Sequence, residues 1–89
     1  MDIIYDPAKD RANLRRHGVS LARAAGIRWD AALEKLDDRE DYGEDRYTAL
    51  GLIEGEVYFV VYVDRGQSRR IISLRRANSR ECKDYEKAY

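Results

Sequence analysis

Apolar positions along the chain follow two spacings, and together they predict a small α+β domain. Residues 3–5 (Ile-Ile-Tyr) form a short apolar run that predicts a first strand. Asp6 is a typical helix N-cap and Pro7 suits the first helical position, so a helix is expected to begin there. The helix is expected to run to about Arg16, because Gly18 readily adopts the left-handed conformation that ends a helix.

A second helix is predicted after Ser20, a residue type that often caps helices. Apolar residues then recur at the spacing of one helix face: Leu21, Ala24, Ala25 and Trp29. The two predicted helices are interpreted as an αα-hairpin whose apolar stripe packs on a sheet.

After residue 31 the apolar residues become nearly alternating or continuous, which predicts four further strands at residues 32–36, 46–53, 57–63 and 69–77. Residues 57–63 lack polar alternation and are predicted to form a central strand covered on both faces. Asn78 and Glu81 have the spacing of a capping box, which predicts a final helix. The predicted order is β-α-α-β-β-β-β-α in one domain over residues 1–89, with a twisted, mostly antiparallel sheet.

Length and composition limit the class of protein. A chain of 89 residues has room for one domain with a small core. The single cysteine, Cys82, excludes an intrachain disulfide, and no stretch approaches the ~20 apolar residues of a membrane span. Charges interrupt the first ten residues, so no signal-peptide pattern is present. A soluble, cytoplasmic protein without membrane contact is expected.

Charge is balanced overall but unevenly distributed. The net charge is zero, yet residues 1–36 carry +2, residues 37–56 carry −6 and residues 57–89 carry +4. The acidic stretch at 37–45 is interpreted as a solvated loop. A basic face can attract RNA in spite of zero net charge, so nucleic acid stays among the possible partners.

The strand predicted at residues 69–77 carries four arginines, two at each end. Planar guanidinium groups match phosphate oxygens, which indicates a phosphate-handling site. Surface ion pairs with the acidic loop are the alternative role for Arg70, Arg75 and Arg76. Arg75 and Arg76 are adjacent in a strand and are therefore expected to point to opposite faces, so only one can serve a given cleft.

Several kinds of catalytic site do not fit the sequence. One histidine and one cysteine cannot build a usual zinc site, and the acidic loop lacks the EF-hand pattern. The serines lack a nucleophile-elbow motif, and no Gly-rich phosphate loop is present. The sequence therefore predicts a site without metal or cofactor.

RNA is a substrate that basic residues alone can process, because its 2′-hydroxyl is an internal nucleophile. Lys9, Asn13 and His17 are spaced at i, i+4 and i+8 and could present a basic and polar row to a cleft. Histidine exchanges protons readily near neutral pH. The alternative role for His17 is that of a cation at the helix C-terminus, and the row as a whole could instead be a solvated helix face.

The chain resembles the BrnT family of toxins from bacterial type II toxin–antitoxin modules. The resemblance rests on the order and spacing of these segments: residues 5–9 (YDPAK), Asn13, residues 17–20 (HGVS), residues 46–48 (RYT), Gly51, residues 64–66 (DRG), residues 70–77 (RIISLRRA), Glu81 and Tyr85. Leu21 and Leu74 depart from the aromatic and small residues usual at their positions, which affects packing more than chemistry.

The resemblance implies a RelE/ParE-like fold, ribonuclease activity that arrests translation, and a BrnA-type antitoxin partner. It also implies that operator DNA is bound only through the antitoxin complex. On its basis Lys9, His17, Arg75 and Arg76 are the candidate catalytic residues. The candidate RNA-binding residues are Arg46, Arg65 and Arg70.

Two other functions agree with the same residues. The chain could be a non-catalytic module that binds an antitoxin and acts as a co-repressor, with its arginines forming the binding surface. It could also be a toxin that has lost activity while keeping its fold.

Overall fold

The computed structural model describes residues 1–39, 41 and 43–89. In this part of the chain the elements are β1 (Asp2–Ile4), α1 (Pro7–His17), β2 (Leu33–Asp37), β3 (Arg46–Ile53), β4 (Glu56–Arg65), β5 (Ser68–Arg76) and α2 (Ser79–Ala88). Two short 3₁₀ helices, Leu21–Gly26 and Trp29–Ala31, lie between α1 and β2. The protein is therefore α+β, as predicted.

The five strands form one sheet in the order β1-β5-β4-β3-β2. β4 is central, which confirms the position predicted for residues 57–63. β1 pairs in parallel with β5, whereas the other neighbours pair antiparallel. The sheet is thus mixed, and the prediction of a mostly antiparallel sheet is corrected. The reason is that the first strand joins the sheet beside the last strand, a long-range pairing that local patterns do not reveal.

The second predicted α-helix is wrong, because 3₁₀ helices occupy this segment. Ser20 does cap it, and its Oγ accepts a hydrogen bond from the Ala22 amide at 3.1 Å. A 3₁₀ helix has three residues per turn, so the buried face contains Leu21 and Ala24, whereas Ala25 is exposed. Residues 7–31, all of them described, therefore form no αα-hairpin.

The main core lies between the 3₁₀ helices, residues 21–31, and one face of the sheet. We call this face of the sheet the helix-covered face. The largest fully buried side chains there are Leu21, Val60, Tyr62, Ile71 and Leu74. Because few large apolar residues are available in a domain of this size, each contributes substantially to stability.

Arg69 is part of this core rather than of a binding surface. Its guanidinium carbon lies 4.5 Å from the Trp29 ring centroid and 4.2 Å from that of Tyr62. Its Nε and Nη2 donate to Asp64 at 2.6 and 2.9 Å, and Glu34 lies 3.6 Å away. One of the four arginines that drew attention to β5 is therefore structural.

The opposite face of the sheet, which we call the arginine face, is covered only in part, by α2. Alternation and strand register place these side chains on it: Thr48, Leu50, Phe59, Val61, Val63, Arg70, Ser73 and Arg75. α2 begins with the predicted capping box of Asn78 and Glu81. The Tyr85 hydroxyl donates to the Ala31 carbonyl at 3.1 Å, and burial raises the pKa of Tyr85, so the donor stays protonated.

Candidate nucleic-acid interface

Asn13 fixes α1 beside β5. Its Nδ2 donates to the carbonyls of Val19 at 2.9 Å and Leu74 at 2.7 Å, and its Oδ1 accepts from the Leu74 amide at 3.2 Å. The amide side chain thereby pairs with both backbone groups of one β5 residue, as a neighbouring strand would. Asn13 is buried, and it lines the same hollow as Lys9 and His17, so the three residues share one side of α1 as the sequence predicted.

The other two members of that predicted row, Lys9 and His17, lie beside Asn13. They line a hollow of about 150 Å³ together with Arg16, Ile72 and Ser73. Ser73 belongs to the arginine face, so α1 presents its cations at the edge of that face. Neither Lys9 nor Arg16 forms an ion pair within the part of the chain that the structure describes.

The predicted RNA-binding arginines gather at one end of the arginine face. Arg70 is opposite Val63 in the register of β4 and β5. Tyr47 of β3 is opposite Tyr62 of β4, and the two strands are antiparallel. Arg46, one residue before Tyr47, is therefore opposite Val63, on the β3 side of it. Val63 is only 3% exposed. Arg46 and Arg70 thus flank a buried apolar position, as expected for arginine stems lying on a sheet.

Arg65 and Arg70 line a second hollow, of about 300 Å³, with residues 4–6. Arg65 pairs with Glu44 at 2.8 Å, so the acidic loop neutralises part of this region. Arg70 forms no ion pair among the described residues. Of the two, Arg70 is the cation more readily available to a phosphate.

Arg75 is held in a fixed orientation at the other end of the arginine face. Its guanidinium carbon lies 4.3 Å from the Phe59 ring centroid. Nη1 and Nη2 donate to the two Glu81 carboxylate oxygens at 2.8 and 2.9 Å, and Nη1 also reaches the Arg76 carbonyl at 3.2 Å. Arginine has five N–H groups, so the Nε–H and one Nη2–H are left without a partner among the described residues. Such neighbouring N–H groups match two phosphate oxygens.

Hydrogen bonds from Arg75 lower the pKa of Glu81, and a hydrogen bond from the Asn78 amide acts in the same direction. Glu81 therefore stays ionised at neutral pH and keeps Arg75 in place. The pair is also a direct connection between β5 and α2, which makes Glu81 a positioning residue for Arg75.

Arg76 lies on the other side of the sheet from Arg75, as expected from strand alternation. It is exposed and pairs with Glu56 at 3.1 Å. The ion-pair partners of Arg75 and Arg76 are Glu81 and Glu56, which lie outside the acidic loop. Arg65 does pair with that loop, through Glu44. Of the seven predicted site residues, Arg76 is the one that does not lie on or beside the arginine face.

Two contributions to this surface were missed from sequence. Arg16 shares the hollow of Lys9 and His17, and its i+7 spacing from Lys9 could have revealed this. The local pattern around Glu81 indicated only helix capping. In the structure Glu81 both caps α2 and holds Arg75. The second role was missed because no local pattern shows that α2 packs back against β5.

Two further findings on residues 1–39, 41 and 43–89 concern metal ions and membranes. No group of three or more His, Cys, Asp or Glu side chains there is arranged to hold a metal ion. No helix in these ranges is both long enough and apolar enough to cross a bilayer.

Fold and site define a small α+β protein with a cationic sheet face suited to a phosphate-containing polymer. Residues 5–81 match the family described as "Ribonuclease toxin, BrnT, of type II toxin-antitoxin system". The chain therefore belongs to the BrnT family of ribonuclease toxins, and the resemblance seen in the sequence is confirmed. A search of curated proteins gave no match.

Proposed function

We propose that this protein is a metal-independent endoribonuclease toxin that binds RNA along the arginine face. The main support is the orientation of Arg75, whose remaining N–H groups form a phosphate-sized fork on the same face as Arg70 and beside Lys9 and His17. Membership of a ribonuclease toxin family gives independent support.

In the proposed reaction the RNA 2′-oxygen attacks the adjacent phosphorus and loses its proton. The bond from phosphorus to the 5′-oxygen breaks, and that oxygen gains a proton. The products are a 2′,3′-cyclic phosphate and a 5′-hydroxyl. Arg75 would stabilise the charge on the phosphate, while Lys9 and His17 would serve in proton transfer or phosphate contact.

RNA cleavage by the purified protein tests this proposal. We expect cleavage of bare RNA to persist in excess chelator and to leave 2′,3′-cyclic phosphate ends or their hydrolysis product. End-group analysis of the fragments is the measurement. Loss of cleavage in chelator with recovery on adding magnesium or zinc would overturn the metal-independent mechanism.

The cellular role that we propose is inhibition of translation in the cytoplasm, controlled by a BrnA-type antitoxin. The complex would bind operator DNA through the antitoxin. A relationship to the RelE/ParE-like fold is part of the same proposal, and it is supported by the strand-rich core with a helix against one face of the sheet.

Co-expression tests the partner. We expect the product of an adjacent gene to bind with sub-micromolar affinity, to cover residues 70–76 and to restore growth to cells arrested by this protein, because a basic face is readily blocked by an acidic or amphipathic segment. Growth curves and co-purification are the measurements. A neighbour that neither restores growth nor co-purifies would contradict the toxin role.

A non-catalytic co-repressor is the second candidate. It is favoured by one observation: Arg75 and Arg76 already have carboxylate partners in the protein itself. If the purified protein cleaves no RNA yet binds the antitoxin and strengthens operator binding, this second function replaces the first.

A further inference from the structure

A groove of about 520 Å³ lies between the arginine face and α2. Its floor includes Leu33, Leu50 and Phe59, and its rim includes Asn78 and Asp84. Strand register explains the floor, because Leu33 is opposite Leu50 and Leu50 is opposite Phe59. The groove thus combines an apolar, aromatic floor with polar groups around it.

The groove adjoins the candidate phosphate site. Phe59 and Glu81 both line the groove. The Arg75 guanidinium packs on the Phe59 ring and donates two hydrogen bonds to Glu81. A nucleotide whose phosphate contacts Arg75 would therefore have its base at the entrance of the groove.

We propose that this groove binds one unstacked base of the RNA, next to the phosphate that Arg75 contacts. The proposal rests on the proposed function and specifies the substrate as single-stranded RNA. A flat base needs an apolar surface for its ring and hydrogen-bonding groups at its edge, which is how proteins usually recognise unpaired RNA. The volume is within the usual range for small-ligand sites.

Polar groups on the rim favour a nucleotide over a partner protein's apolar side chain. The Asn78 side-chain nitrogen, Nδ2, has no hydrogen-bond partner among the described residues, so it can donate to a base edge, and the Asp84 carboxylate can accept. Lys35 and Arg80 also line the groove and form no ion pair in the described part of the chain, so they can contact flanking phosphates.

A pair of tryptophan variants on β2 tests the proposal. Leu33→Trp would fill the groove from its floor, whereas Leu36→Trp lies on the opposite side of the same edge strand and serves as the control. Their side chains are similarly exposed, Leu33 at 38% and Leu36 at 49%, so both changes should be tolerated by the fold. Circular dichroism and urea unfolding verify this.

Two measurements are compared for each variant. In the first, cleavage of a randomised single-stranded RNA pool is followed by sequencing of the product ends. We expect Leu33→Trp to raise KM roughly 5- to 100-fold, the usual range for loss of one stacked base, and to alter base preference beside the cut. Leu36→Trp should cleave as the wild type does.

In the second measurement, the four nucleoside monophosphates are titrated into the full-length protein and followed by NMR. Shifts at Leu33, Leu50 and Phe59 in the wild type support the groove if those at Leu50 and Phe59 vanish in Leu33→Trp, whether or not the protein cleaves RNA. Absence of these shifts overturns the base-binding groove. So does an active Leu33→Trp variant with unchanged KM and cut-site preference. If shifts occur but no RNA is cleaved, only the proposed ribonuclease function fails.

Discussion

Replacing Arg75 with alanine is expected to slow RNA cleavage about 100- to 1000-fold. Removal of one preorganised donor from a developing negative charge typically costs that much, about 3–4 kcal/mol of activation free energy. Arg75 is preorganised, because Glu81 holds it at two points and Phe59 supports its plane. Single-turnover cleavage at saturating protein measures the effect.

Arg76→Ala is the matched control. This residue is adjacent in β5 and is also ion-paired, but it lies on the opposite side of the sheet. We expect it to cleave RNA at nearly the wild-type rate. Arg75→Lys should recover little activity, because an ammonium group cannot reproduce a two-point fork. If Arg75→Ala cleaves normally, the site lies elsewhere, and Lys9 with His17 becomes the better candidate.

Replacing Asn13 with alanine is expected to lower the free energy of unfolding by about 3 kcal/mol or more. The change leaves three buried backbone groups without partners, two on Leu74 and one on Val19, and each such group typically costs about 1–3 kcal/mol. This is a large part of the stability of a small domain. Urea unfolding followed by circular dichroism measures it.

Arg11→Ala is the control for that prediction, since Arg11 is exposed on the same helix and has no described ion pair. It should change stability by less than about 0.5 kcal/mol. Equal unfolding free energies for Asn13→Ala and wild type would show that α1 is not fixed to β5 through this side chain.

Features set by neighbouring residues were predictable from the sequence. β3 has the predicted bounds, Arg46–Ile53. α1 begins at Pro7 and is ended by Gly18, whose φ of 74° is left-handed. The capping box of α2 is present. In each case residues a few positions apart determine the geometry, so local pattern was sufficient.

Features that depend on distant contacts were not predictable. The spacing of Leu21 and Ala24 fits both an α-helix and a 3₁₀ helix. Only the exposure of Ala25, seen in the structure, distinguishes the two kinds of helix. The pairing of β1 with β5 joins the first strand to the last, which are far apart along the chain.

Charge pattern likewise identified β5 as the cationic strand but not the role of each arginine. Arg69 packs on Trp29 and Tyr62, whereas Arg70 forms no described ion pair. These roles depend on which side chains lie across the sheet, so only the folded arrangement separates them.

Binding of RNA to the arginine face is tested most directly by NMR of the protein bound to a short RNA that cannot be cleaved because every 2′-hydroxyl is methylated. We predict the largest shifts at Arg70, Ser73 and Arg75 and along the edge that carries Lys9 and His17. Shifts confined to the helix-covered face and to the end of β5 at Arg76, with the arginine face unchanged, would contradict the account.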